Sequence, residues 1–409
     1  MLTQTSGDWG RIAAILLIIG AVFSTATQLR IGSIPLGPGE MLIVAGVLVG
    51  FGMGDRSKTT LKIGPCNEFL VFWVLAGAAL ALGTLSGTVA GSDPGETAVH
   101  DGIAYLFVAV FCVSLESSAA RNPTRTLCML TYAAAIFLLA TGLCALLVRE
   151  VAGIQLWYQV VRLRGFSDNP NQLALLAVAL PFLCWQLLHD HQVSARRLLW
   201  TLSLIGLVAG VMTWSDALIV SWCIAIVIVF TILAVRGLRR LRSPVMALFL
   251  VAMSIAAVST LLFAGLIGQL GSNVLGLGLE AYESGAQGSV RISLWRNAIE
   301  ALWRSRMLGL GPGAHAGLLG PFERMEAHNA FIDWAAASGL FGLALLCAIV
   351  SIVVVRCVSA GKWYLVGALI SLMTFGAFHH TLRQPLFWCC LIAISYYAKG
   401  VAFERQVKA

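Results

Sequence analysis

Long apolar runs separated by short polar connections dominate the chain. They fall at about 11–27, 37–54, 67–89, 98–117, 126–148, 171–188, 198–213, 216–235, 244–267, 329–356, 362–381 and 385–402. Each is near the length a helix needs to cross a bilayer, roughly 20 residues. The pattern predicts an all-α polytopic membrane protein with about twelve transmembrane helices. Arg11 leads into the first run without an A-x-A cleavage site, so that run is expected to be an uncleaved span.

The polar connections differ by side. One set is short and basic, with Arg56, Lys58 and Lys62, then Arg121 and Arg125, Arg196 and Arg197, Arg236, Arg239, Arg240 and Arg242, and Lys362. The short connections of the other set are poorer in charge, and Ser92–Glu96 is acidic. This bias predicts cytoplasmic termini. Two outer segments are long, Arg149–Pro170 and Gln269–Ala327. The second, with its flanks, is expected to form a loop subdomain at 268–328 within a single membrane-embedded unit spanning 1–409. Within it, Val290–Arg306 places Leu294, Trp295, Ala298, Ile299, Leu302 and Trp303 on one helical face, with Arg296, Asn297, Glu300 and Arg304 on the other. That is the pattern of an amphipathic helix able to lie at a membrane interface. Gly309-Leu310-Gly311-Pro312-Gly313 then ends it.

Composition narrows the class. Of 409 residues, 59% are hydrophobic and 11% charged, against about 25% charged in soluble proteins. A mean hydropathy of +0.87 excludes an ordinary soluble enzyme, a disordered chain and a disulfide scaffold. The net charge of +8 belongs mostly to orientation in the membrane. The cysteines sit almost entirely in apolar runs, without a C-x-x-C pair. Neither a metal site nor a disulfide framework is expected.

Candidate chemistry gathers on the outer side. Its cations are Arg149, Arg162, Arg164, Arg291, Arg296, Arg304, Arg306, Arg324 and Arg383, with no lysine. Arginine offers a planar fork that binds phosphate bidentately, so the set suits a phosphate or pyrophosphate head group. Contacts to lipid head groups, or ion pairs with Glu280, Glu283, Glu323 and Glu326, are the alternative. His328-Asn329 lies where the long loop meets the next span. The positive end of a helix disfavours imidazolium there, and a neutral histidine can act as a general base; a capping or interfacial histidine without chemistry is the other reading. Gly339 and Gly342 would let a neighbouring helix approach closely. In Arg164–Asn171, Asn and Pro favour a turn and a helix cap, while Arg162 and Arg164 are candidates to face the same pocket as Arg291.

His328-Asn329, nine residues, and Gly339-x-x-Gly342 resemble the H-N-x9-G-x-x-G signature of the O-antigen ligases. Arg291…Trp295…Ala298 followed by Gly309-x-Gly311-x-Gly313, and Arg164-Gly-Phe…Asn169-Pro170-Asn171-Gln-Leu-Ala, are similar to the core of the wider O-antigen ligase and polymerase superfamily. The specific motifs lie within about 162–174 and 291–342; span number, orientation and the long outer loop agree over most of the chain.

The resemblance implies a GT-C-like, metal-independent, inverting glycosyltransferase of lipopolysaccharide biosynthesis, without a cofactor. It would sit in the bacterial inner membrane with its active site on the periplasmic face. The implied partners are undecaprenyl-pyrophosphate-linked glycan, lipid A–core oligosaccharide and membrane lipids, with no nucleic acid. His328 would take the acceptor proton. Arg291, with Arg162 or Arg164, would hold the donor pyrophosphate and stabilise the leaving charge; Asn329, Arg296 and Arg383 would contribute to substrate binding. The absence of a plausible outer Asp/Glu cluster for Mg²⁺ fits a metal-independent reaction. Many relatives carry Ser-Arg near the outer end of a mid-chain helix where this chain reads Ser215-Asp216-Ala217; Arg30 and Arg383 are possible substitutes. A polymerase of the same superfamily is the alternative, and a polytopic lipid or solute transporter a second one, although the chain has few of the midplane charges that transporters tend to use.

Overall fold

The computed structural model describes residues 5–31, 35–52, 67–92, 95–159, 161–190, 195–238, 292–314 and 327–408. The predicted span at 244–267, most of the 268–328 loop, Arg291 and Arg324 lie outside the described residues.

Every apolar run predicted within those residues is a helix, with ends shifted by a few residues. They are α1 (Thr5–Phe23), α2 (Pro38–Gly52), α3 (Glu68–Val89), α4 (Gly95–Arg121), α5 (Pro123–Leu147), α6 (Pro170–Asp190), α7 (Arg196–Met212), α8 (Asp216–Leu238), α9 (292–304), α10 (Ala330–Ser359), α11 (Trp363–Gly376) and α12 (Pro385–Lys408). Among the described residues, α3, α4, α5, α6, α8 and α10 are long and apolar enough to cross a membrane, while α1, α2 and α11 contain shorter apolar helices. This is an all-α membrane protein.

Large apolar side chains face outward as well as inward. Val71, Val74, Leu82 and Leu85 of α3 are exposed, as are Ile136, Leu143 and Leu146 of α5 and Ile352 and Val355 of α10. Helices apolar on all sides suit a lipid surround. Helix α6 is the most enclosed of the six. Its Pro181 lacks an amide donor, and nearby the Val178 carbonyl accepts from Trp222 Nε1 (3.1 Å) and Ser371 Oγ (3.0 Å) on neighbouring helices. Side chains thus satisfy backbone groups in a setting where water cannot.

Buried charge is sorted to the two ends of the bundle. At one end Glu116 accepts from the first amides of α3 (Phe69 and Leu70, both 3.2 Å) and from Tyr396 Oη (2.8 Å). Glu68 pairs with Arg356, and Asp190 takes Lys362 Nζ (2.7 Å) and Tyr397 Oη (2.6 Å). Asp101, near the other end of α4 and roughly 22 Å from Glu116 at helical rise, pairs with Arg383. Among the described residues, these buried charges lie toward the helix ends rather than in the apolar middle.

Between α5 and α6 the chain forms two small antiparallel hairpins, β1 (Glu150–Val151) with β2 (Ile154–Gln155), and β3 (Trp157–Tyr158) with β4 (Arg162–Leu163). The sequence pattern placed only a loop here, because two-residue ladders leave no periodicity.

Helix α9 forms as predicted, and part of its apolar face is buried against the protein. Leu294, Ala298 and Ala301 are buried and Trp295 is half-buried, whereas Ile299 and Trp303 stand exposed with Ile292. The exposed Ile292, Ile299 and Trp303 leave an apolar strip of the kind that suits a membrane interface.

Candidate functional site

Two loop segments and several helix ends build one face of the bundle. The first segment is Arg162–Asn171. The chain leaving α1 makes a 3₁₀ turn (Thr27–Leu29) that fastens it. Gln28 Nε2 donates to the carbonyls of Ser167 (2.8 Å) and Gly165 (3.0 Å), Ser167 Oγ donates to Thr25 O (2.6 Å), and Thr27 Oγ1 accepts from the Asp168 amide (2.9 Å). Asn169 precedes Pro170, the first residue of α6, and its Oδ1 accepts from the Asn171 amide (2.9 Å), the cap expected from the sequence. On this frame Arg164 Nε donates to Gln155 O (2.9 Å), and the Arg162 and Arg164 guanidiniums stand 6.0 and 5.8 Å from the Tyr158 ring. Arg162 Nε also donates to Thr213 O (3.2 Å), in the turn just before Ser215-Asp216.

The second segment leads into α10. Asn329 is its N-cap, with Oδ1 accepting from the Phe331 (3.0 Å) and Ile332 (3.1 Å) amides. His328, half-buried, precedes the cap in the left-handed region at φ 50°. A β-carbon is strained there by roughly 1–2 kcal/mol, so its surroundings must hold it. They do so through Ala327. The Ala327 amide donates to Asp333 Oδ1 (2.9 Å), and its carbonyl accepts from Trp295 Nε1 of α9 (2.8 Å). Asp333 Oδ2 in turn lies 3.0 Å from His380 Nδ1. His328 thus sits at the positive end of α10, as the sequence placed it.

Helix α10 is broken at Gly339, where φ is 70° and ψ −174°. The broken helix frees carbonyls, and the segment after α9 takes them. The Leu310 amide donates to Ala336 O (2.8 Å), the Gly311 amide to Ala337 O (2.9 Å), and the Leu340 amide to Met307 O (3.0 Å). A β-carbon on Gly339 would stand 2.5 Å from Met307 O, and one on Gly311 2.8 Å from the Thr84 Cα of α3. The glycines therefore admit an extended backbone between α3, α4 and α10. The sequence had read Gly339 and Gly342 as making room for a neighbouring helix; what Gly339 admits is a loop.

Arg383, in the turn between α11 and α12, pairs with Asp101, whose Oδ1 also lies 3.1 Å from His100 Nδ1. Burial pushes the Arg383 guanidinium down to about 10, still protonated at neutral pH. His100 lies in the field of both Arg383 and Arg30, and Arg30 is itself held by Glu40 at 2.7 Å. Arg296 lies on the exposed face of α9. There Ile299, Glu300, Trp303 and Arg304 join it around a shallow depression, and Arg304 pairs with Glu300 at 2.9 Å.

Of the expected site residues, the structure joins His328 and Asn329 in one helix start and Arg162 and Arg164 around one ring. Arg383 belongs to the carboxylate-bound turn, and Arg296 faces outward. Arg291 is outside the described residues. Asp333 and His380 were given no role from the sequence. Ionisable residues within apolar runs were the available signal, but 47 positions separate the two partners.

No curated protein matches the chain. Residues 201–347, which run from α7 through α8, α9, the glycine-rich segment and His328-Asn329 into α10, match the family model described as O-antigen ligase, and this match supports membership of the chain in the O-antigen ligase superfamily.

Proposed function

We propose that the protein is an O-antigen ligase that moves a glycan from undecaprenyl pyrophosphate to a sugar hydroxyl of lipid A–core oligosaccharide. It does so at the periplasmic face of the bacterial inner membrane, with about twelve spans and cytoplasmic termini. The observation that carries this reading is His328, held in a left-handed turn at the positive end of α10 within the family-matched stretch. In the reaction, the acceptor oxygen bonds to the anomeric carbon of the donor while the bond from that carbon to the pyrophosphate oxygen breaks, with inversion. The acceptor proton passes to His328, and undecaprenyl pyrophosphate leaves with the bonding electrons.

Arginines stabilise that departing charge. Arg291 is carried by the resemblance, four positions before Trp295 in the sequence, and Trp295 reaches the turn that presents His328. Arg162, at the Thr213 turn, supplies a guanidinium beside Ser215-Asp216, where many relatives carry arginine. Arg164 and Asn329 complete the substrate contacts in this reading, whereas Arg383 is taken by Asp101 and Arg296 lies on the exposed face of α9. Charges paired at helix ends, rather than spread along the bundle's middle, favour this enzyme over a transporter.

The test is transfer by purified protein in lipid, supplied with undecaprenyl-pyrophosphate glycan, with and without lipid A–core, in the presence of a chelator. Product on lipid A–core alone is expected, undiminished by the chelator. A ladder growing on polyprenyl pyrophosphate without the acceptor would make the protein a polymerase, and no product in either arm would move the weight to transport. Arg291→Lys is expected to slow transfer on the order of 10²-fold, because a lysine ammonium cannot replace a bidentate pyrophosphate contact. Steady-state rates with saturating donor check it, and near-normal turnover would remove Arg291 from the site.

A further inference from the structure

His380 is poorly explained as a stabilising residue. It is 9% exposed, and its Nε2 is shielded with no hydrogen-bond partner among the described residues. A buried polar atom left unmade costs about 1–3 kcal/mol whichever tautomer the ring adopts. What the ring does make is one bond, from Nδ1 to Asp333 Oδ2. Asp333, 2% exposed, uses its other oxygen on the Ala327 amide. The Ala327 carbonyl is taken by Trp295, so both polar groups of that residue are tied immediately before the strained turn at His328.

We propose that Asp333, held by His380, is a positioning residue for His328: it clamps Ala327 and so keeps the left-handed turn that aims the imidazole at the acceptor hydroxyl. The inference rests on His328 being the base of the transfer reaction. In this arrangement the carboxylate acts by geometry rather than by charge. An asparagine can do the same: its oxygen accepts from Ala327, and its NH₂ donates to His380 Nδ1 once the ring's proton moves to Nε2, an atom with no bond to lose.

The experiment measures kcat and KM for transfer with Asp333→Ala, Asp333→Asn and each change combined with His328→Ala. Displacement of a reacting group by about 1 Å costs on the order of 10²-fold. Asp333→Ala should therefore lose about 10²-fold in kcat with little change in donor KM, and Asp333→Asn should recover most of that loss. Over His328→Ala, Asp333→Ala should cost nothing further, since its effect passes through the missing imidazole. Should Asp333→Ala fail to insert, His380 carries the same test. His380→Ala should lose about tenfold in kcat, and His380→Asn, whose amide nitrogen stands where Nδ1 stood, should restore it. Three results would overturn the proposal: Asp333→Asn as inactive as Asp333→Ala, unimpaired turnover by Asp333→Ala or His380→Ala, or the same added loss in the His328→Ala background. Full transfer by His328→Ala alone would instead sink the underlying reading of the base.

Discussion

Replacing His328 with alanine is expected to abolish glycan transfer, with a loss of 10²–10⁴-fold, the range spanned by general acid–base contributions, while expression and membrane insertion stay at wild-type levels. The residue is half-buried and precedes the N-cap, so alanine leaves the fully buried core in place and breaks no cap, since Asn329 supplies that. Alanine also changes nothing in the hydrogen bonds of Ala327, which use backbone atoms. A backbone explanation can be separated from a chemical one. Asparagine tolerates the left-handed region, so His328→Asn preserves the turn and removes the base. It should be as inactive as His328→Ala. Transfer by the asparagine variant at more than a tenth of the wild-type rate would show that the turn, not the imidazole, is what the reaction needs.

The second large effect is expected from Gly339→Ala. Its φ of 70° with ψ of −174° is a combination that belongs almost entirely to glycine and costs other residues roughly 1–3 kcal/mol. The new methyl would also stand 2.6 Å from the Leu308 carbonyl carbon and 2.5 Å from Met307 O. Neither neighbour is a side chain that can swing away, and overpacking of this kind costs about 1–3 kcal/mol more. The segment at 306–313 should lose its place on α10, with cleavage there by added protease and at least a tenfold fall in transfer. Gly342→Ala gives the contrast. Its clash lies within α10 itself, with the Ser338 hydroxyl and the Ser338 β-carbon, which cannot rotate away, so Gly342→Ala should disturb the helix without dislodging 306–313. If both glycines served only helix–helix approach, the two variants would behave alike at 306–313; equal protease cleavage there would therefore reject the loop-admitting role of Gly339.

The helices were legible in the sequence because membrane thickness imposes one length and one composition on every span. The Asn169 cap was legible for a local reason, since an Asn before a helix start has its acceptor within reach of the next two or three amides; the same signal at Asn329 was not read as a cap. Relationships across the bundle were not. Asp333 with His380, Asp101 with Arg383 and Trp295 with Ala327 join residues through packing, and no periodicity encodes which helix end meets which. On α9 the apolar face was legible, but not its division into the part that packs on the protein (Leu294, Ala298) and the part that stays exposed (Ile299, Trp303). Gly339 shows the remaining gap. Its spacing from His328 was visible, yet a helix break inside a continuous apolar run has no signature in hydropathy.

The backbone bonds from Leu310 and Gly311 to the carbonyls freed in α10 also constrain assembly. The segment that makes them lies against Thr84 of α3 and Thr97 and Ala98 of α4, residues more than 200 positions earlier in the chain. Its resting place does not exist until three helices from distant parts of the sequence have inserted and come together. Insertion of individual spans and completion of the reaction face are therefore separate events in biogenesis, the second following the first. A protein arrested between them would hold every helix in the bilayer and still be inactive, and protease sensitivity at 306–313 would mark that arrested form during synthesis.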